Sequence, residues 1–85
     1  MRYAIQIEPS FARGFDRLPA NLQRRVNVRV ALLADSPRPP GCAKLSGFPS
    51  RYRIRVGDYR VIYEVKDELL TVLVVRVGHR REVYR

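Results

Sequence analysis

The sequence predicts an α+β domain in which a helical hairpin packs on an antiparallel sheet, in the order β-α-α-β-β-β. Three observations predict it. Apolar residues recur with a helical period through the first third of the chain. A breaker cluster, Pro37-Arg-Pro-Pro-Gly41, then interrupts the pattern. Beyond it the apolar period switches to two, the period of a strand with one buried face. With 85 residues, 46% of them hydrophobic, the chain has the material for one small domain, residues 1–85, and a single core.

Residues 3–8 read as a first strand, with Tyr3, Ile5 and Ile7 in alternation. Pro9 suits a first helical position, and Phe11, Phe15 and Leu18 follow at helical spacing. Pro19 stops that helix and opens the next. There Leu22, Val26, Val30 and Leu33 form one apolar stripe, with Arg24, Arg25 and Arg29 on a solvated side. After the proline cluster, Leu45 to Phe48 is short and poorly defined. Residues 51–56 and 59–65 alternate cleanly around Gly57-Asp58, a pair suited to a two-residue hairpin turn. Residues 69–77 form the most apolar strand, expected centrally with both faces buried, and Gly78 is expected to end it.

Charge narrows the function. Seventeen Lys and Arg stand against eight Asp and Glu, a formal charge of +9, which points to a polyanionic partner such as nucleic acid or the ribosome. Only Lys44 and Lys66 are lysines. The rest are arginines, suited to bidentate phosphate recognition. One cysteine, Cys42, and one histidine, His79, cannot make a structural zinc site or an intramolecular disulfide, which suits a reducing cytoplasm. No apolar run is long enough for a membrane span, and the opening Met-Arg-Tyr-Ala is not expected to begin a signal peptide. No membrane role and no cofactor are expected.

Counting outward from a Gly57-Asp58 turn sets the hairpin register: Val56 faces Tyr59, Arg55 faces Arg60, Ile54 faces Val61, and Tyr52 faces Tyr63. Tyr52, Ile54, Val56, Tyr59, Val61 and Tyr63 then share the face that meets the helices, while Arg51, Arg53, Arg55 and Arg60 share the other. Like charges directly opposite on a sheet repel. An uncompensated Arg55–Arg60 pair on a rigid hairpin therefore reads as a phosphate site; the alternative is arginines splayed into solvent or paired with Asp58 and Glu64. The tail adds Arg76, His79, Arg80, Arg81, Tyr84 and Arg85, and should emerge near the same end of the hairpin. Histidine is the one side-chain type in this tail suited to moving protons near neutral pH, which singles out His79, and Tyr84 can stack on a base or donate a proton.

There is no catalytic Ser–His–acid or Cys–His arrangement, glycine-rich phosphate loop or carboxylate cluster. One hydrolytic chemistry survives these exclusions. RNA carries its own nucleophile, the 2′-OH, so a protein can cleave it by orienting the bond, neutralising the phosphate and moving protons, without a metal.

The stretches Tyr52-Arg-Ile-Arg-Val-Gly-Asp-Tyr-Arg-Val-Ile-Tyr-Glu64 and Val75-Arg-Val-Gly-His-Arg-Arg-Glu-Val-Tyr84 resemble the RelE toxins of the RelE/ParE superfamily. The resemblance spans essentially the whole chain. It implies a toxin of a type II toxin–antitoxin system that enters the ribosomal A site and cuts mRNA by 2′-OH attack. Its implied partners are a cognate antitoxin, the ribosome and mRNA, with operator DNA reached only through the antitoxin. Carried over residue by residue, the site comprises Arg53 and Arg55, then Arg60 on the phosphate, Arg80 at the leaving oxygen, and Tyr84 stacking on a nucleotide. The family pattern has lysines where Arg53 and Arg55 stand. Arginine stays charged and is a poor base, which makes His79 a candidate for proton transfer. The sequence ends one residue after Tyr84, so the C-terminal helix of some relatives is expected to be missing. Inhibition then rests on occlusion and charge neutralisation by an acidic or amphipathic antitoxin segment. The alternative is a ParE-like protein that binds DNA gyrase and cuts nothing; a third reading keeps only antitoxin or operator binding.

Overall fold

Proline placement divides the helical part of the chain. In the computed structural model, which describes residues 2–81, Pro9 sits in the first turn of α1 (Pro9–Asp16), and Pro19 is the N-cap of α2 (Ala20–Leu32). Pro9 lacks only an N–H that the first turn leaves unpaired anyway. Before them runs β1 (Ala4–Ile7). After them come β2 (Ala43–Lys44), β3 (Arg51–Val56), β4 (Tyr59–Lys66), a 3₁₀ turn (Asp67–Leu69) and β5 (Thr71–His79).

The sheet order is β1-β5-β4-β3-β2. The α+β class matches the sequence reading, but the two-residue edge strand β2 adds a fifth strand to the expected β-α-α-β-β-β order, and the sheet is mixed. β1 runs parallel to β5, with Ala4 beside Thr71 and Ile7 beside Val74, while the other pairings are antiparallel. No tight turn joins β1 to β5, so hairpin geometry does not set their relative direction. The edge strand β2 precedes the Leu45–Phe48 segment. The last strand starts later than expected, because Leu70 takes a left-handed conformation (φ 47°) that closes the 3₁₀ turn. It also runs through Gly78 to His79.

Both helices pack on one sheet face. Phe11, Val26, Val30 and Leu33 meet Ile54, Val61, Tyr63 and Val74 in the main core. Burying side chains of this kind contributes about 1.5–3 kcal/mol each. Leu22, the first residue of the expected α2 stripe, packs at the core margin. β5 is an inner strand between β1 and β4, although β4 and not β5 holds the middle of the sheet, and a register shift opposite Ile62/Tyr63 leaves Val75 as an extra residue. The bulge keeps Val75 and Arg76 both on the outer face, where Val75 joins Ile62 in a small second cluster flanked by Leu45 and Leu73.

The parallel edge ends at Ile7, and α1 takes its place along the rest of β5. Ser10 Oγ donates to the Val75 carbonyl, and Gly14 lies against the Val77 carbonyl. A Cβ at position 14 would stand 2.5 Å from that oxygen.

The proline loop is strapped to the far end of the sheet. Tyr63 Oη donates to the Pro37 carbonyl (2.8 Å), and burial of this hydroxyl pushes its pKa up. Arg38 donates to Tyr52 Oη (2.9 Å) and, through both terminal nitrogens, to Asp67, with the closer contact at 2.8 Å. Tyr3 Oη adds a third donor to Asp67 at 2.6 Å. The Arg38 and Tyr3 hydrogen bonds hold the Asp67 carboxyl below its usual range, while the Asp67 contact raises Tyr3. None of the described helices is long and apolar enough to cross a membrane.

Two outcomes follow. Gly14→Ala should destabilise the fold, because overpacking costs about 1–3 kcal/mol. Alanine recovers at most about 1 kcal/mol in helix propensity. Urea denaturation followed by circular dichroism measures the balance, and a raised midpoint would contradict the close α1–β5 approach. The Asp67 strap should stabilise above the ordinary aspartate pKa and be lost as pH falls through the lowered folded value, where the unfolded chain binds the proton more readily. Thermal midpoints should therefore fall less on acidification in Asp67→Asn than in the native chain.

Candidate functional site

The β3–β4 hairpin closes with positive φ at Gly57 (60°) and not at Asp58, the pattern of a type II′ turn. Its register pairs Val56 with Tyr59, Arg55 with Arg60, Ile54 with Val61 and Tyr52 with Tyr63, as the outward count predicted. Arg55 and Arg60 occupy the non-hydrogen-bonded pair next to the turn, where side chains approach most closely, with Cα atoms about 4.5 Å apart in such pairs. Among the described residues, neither they nor Arg53 forms an ion pair. Arg60 Nη1 donates to the Tyr59 carbonyl (3.3 Å) and Arg53 Nη1 to the Gly41 carbonyl (3.4 Å).

Arg51 differs from its neighbours. It faces Glu64, bonds it at 3.2 Å, and lies over the Phe48 ring at 4.6 Å. Its charge is already matched, so it closes the hairpin's distal end. Arg76 pairs with Ile62 and extends the arginine face onto β5.

The start of the tail lies against the turn: the Arg80 N–H donates to the Asp58 carbonyl at 3.0 Å. Arg80 and Arg81 are both exposed. Tyr84 and Arg85 lie outside the described residues. His79 is brought to the same end but not to the same face. It pairs with Tyr59, whose ring it meets edge-on at 5.6 Å, on the side that faces the helices. The Arg81 N–H donates to His79 Nδ1 (3.3 Å). The structure thus groups Arg55, Arg60 and the Arg80 backbone, and sets the His79 ring on the opposite side of the sheet from Arg60.

Two arginines of the largely solvated α2 face also reach the hairpin. Arg29 Nη1 donates to the Arg55 carbonyl at 3.0 Å, and the Arg25 guanidinium lies 3.6 Å from where a Gly57 Cβ would stand. Helical periodicity alone could not show this, because it marks the apolar stripe and is silent on what the polar flank meets. Sequence reasoning also passed over Arg13 and Arg17, which line a depression at the β5 edge with Arg76. Their i, i+4 spacing opposite Phe11 and Phe15 was the available signal.

A family model for the ParE toxin of type II toxin–antitoxin systems, parDE, matches residues 5–84. The mRNA interferase toxin RelE of Escherichia coli K12 is 30% identical over 88 residues, covering 99% of this chain and 92% of that protein. This chain belongs to the RelE/ParE family of type II toxins. Within the family, toxin RelG of Mycobacterium tuberculosis is 30% identical over 87 residues, covering 100% of this chain and 99% of that one. Among solved structures, the archaeal RelE–RelB complex from Pyrococcus horikoshii superposes with a TM-score of 0.84. Its identity is 28%, covering 98% of this chain and 100% of that chain. The five-stranded mixed sheet under two helices is thus a RelE fold.

The Arg55–Arg60 juxtaposition has a measurable cost. Arg55→Glu should relieve the cross-strand repulsion and raise stability by some tenths of a kcal/mol, up to about 1. The same substitution should weaken binding to single-stranded RNA. Calorimetry and fluorescence anisotropy read the two effects, and a less stable variant would contradict the repulsion.

Proposed function

We propose that this chain is the toxin of a toxin–antitoxin pair that acts as an mRNA interferase, cutting the codon in the ribosomal A site. The observation that supports it most is the Arg55–Arg60 pair: two arginines directly opposed across the hairpin, without an acidic partner among the described residues, in a chain of this family. A phosphodiester placed between them supplies the missing countercharge.

In this reading the RNA 2′-OH attacks the adjacent phosphorus. The bond to the 5′ oxygen breaks, leaving a 2′,3′-cyclic phosphate and a 5′-OH. Arg60 and Arg55 hold the non-bridging oxygens, where negative charge grows in the transition state. Arg80 steadies the departing 5′ oxygen, and Tyr84 stacks on a nucleotide. Arg53, Arg76, Arg81 and Arg85 guide the flanking backbone. Arginine keeps its proton, so Arg55 stabilises charge and does not act as the base. With the His79 ring on the helix side, the 2′-OH proton leaves to water in the open site, and the 5′ oxygen takes its proton from water. The nucleophile belongs to the substrate and the cations to the protein, so the step requires no metal ion.

The partners in this reading are the ribosome, mRNA and a cognate antitoxin, as RelE of P. horikoshii is solved with RelB. An acidic or amphipathic antitoxin segment would neutralise the arginine face, operator DNA would be reached only through the antitoxin, and the pair would work in the cytoplasm, where ribosomes and mRNA are. The description of the matched family model as a ParE toxin supports a second reading, a gyrase-binding protein without nuclease activity.

The deciding experiment is cleavage of a defined mRNA on programmed ribosomes with an empty A site, with product ends mapped. The native chain should cut within the A-site codon and leave a cyclic phosphate. Arg60→Ala should slow this by about 10²-fold or more, the scale seen for loss of one transition-state donor. No cut on ribosomal or free RNA, with inhibited gyrase supercoiling, would establish the ParE-like reading.

A further inference from the structure

Where β1 stops and α1 takes over the edge of β5, a trough opens beside the arginine face. Its near half, about 180 Å³, is lined by Arg13 of α1, by Arg17 at that helix's C-cap, and by Arg76 and Gly78 of β5. An adjoining depression, about 260 Å³, shares Arg17 and Gly78 and ends at Tyr59 and His79. Both halves are partly open to solvent and neither is an enclosed cavity, so the shape suits a strand passing through.

Its chemistry is divided along its length. One end is cationic. Arg13 and Arg17 stand four residues apart on one helix face, where like charges repel, and neither forms an ion pair among the described residues. This repeats, on a helix, the unmatched pairing that marks Arg55 and Arg60 on the hairpin. The other end is aromatic, with the half-buried Tyr59 and His79 rings set edge to face. Gly78 links the two regions: it lies directly opposite Arg60 in the β4–β5 register and lines both halves of the trough. A glycine there leaves no side chain between Arg60 and the β5 edge. The walls are held by the sheet and by α1, which Ser10 and Gly14 seat on the Val75 and Val77 carbonyls.

We propose that this trough is a second RNA subsite, in which Arg13, Arg17 and Arg76 hold a phosphodiester and the Tyr59–His79 pair contacts the adjoining base. The inference rests on the reading of the chain as an RNA-cutting toxin and extends it to the path of the strand. RNA held at Arg60 crosses the β5 edge over bare Gly78 and enters the trough. His79 is then a substrate-positioning residue on the flanking nucleotide. The phosphodiester recognised could belong to the bound mRNA or to ribosomal RNA, and the chemistry is the same.

The test uses the full chain and 2′-O-methyl RNA oligonucleotides of graded length, which lack the nucleophile and stay intact. Binding is read by anisotropy across a salt series for the native chain, Arg13→Ala/Arg17→Ala, and the charge-preserving Arg13→Lys/Arg17→Lys. The alanine pair should bind several-fold more weakly. Its log–log salt slope should shrink by about 0.7 for the phosphate lost, and its affinity should stop rising at a shorter length. The lysine pair should keep most of the slope, which separates lost charge from a damaged fold. His79→Ala should lower affinity without changing the slope. If oligonucleotide binding is unchanged in the alanine pair but binding to vacant ribosomes falls, the subsite stands with ribosomal RNA as its ligand. If the native chain cuts and binds RNA and the alanine pair matches it in all of these, the subsite is refuted while the nuclease reading stands. If the native chain binds neither RNA nor ribosomes, both readings fall together.

Discussion

The register of the β3–β4 hairpin is the constraint on which the other features depend. Gly57 adopts a positive φ that a two-residue turn requires, and from that point each strand residue is assigned to one face. Slippage by one residue would carry Ile54, Val61 and Tyr63 out of the core and turn the arginines into it. Each of those apolar side chains contributes about 1.5–3 kcal/mol. The repulsion between Arg55 and Arg60 costs at most about 1 kcal/mol. The core therefore wins, and holds two like charges together where a free hairpin would separate them.

The helices serve this arrangement from behind. Arg29 reaches under the hairpin to the Arg55 carbonyl, and Arg25 lies against the turn. At the opposite end, Arg38, Asp67, Tyr3 and Tyr52 tie the proline loop to the sheet. Rigidity is thus supplied at both ends of the strands, while Arg53, Arg55 and Arg60 on the outer face form no ion pair among the described residues. A surface that separates its charges in this way carries an electrostatic cost in the free protein and recovers it when a polyanion binds.

Two departures from regular sheet geometry shape the region beyond the hairpin. The bulge at Val75 lets β5 present Val75 and then Arg76 on the outer face before Val77 returns to the core. The end of β1 at Ile7 frees the rest of that edge, which α1 covers with a glycine at closest approach. Together they bring Arg76 of the strand to one trough beside Gly78 with Arg13 and Arg17, which lie 63 and 59 positions away in the chain.

Element types, the proline boundaries, the hairpin register and the face carrying Arg53, Arg55 and Arg60 are all legible in the amino-acid order. Each follows from interactions within a few residues: apolar period, turn chemistry, and the fixed alternation of a strand. The family likeness was legible for the same reason, since its motifs lie on that hairpin and the strand beside it. What local patterning could not specify is pairing between segments distant in sequence. The parallel placement of β1, the Arg51–Glu64 closure, the buttressing by Arg25 and Arg29, and the meeting of Arg13 and Arg17 with Arg76 arise only when the sheet and helices pack. His79 shows the boundary most clearly: its chemistry is plain from its identity, but the face it occupies depends on a bulge and a strand end that long-range packing alone decides.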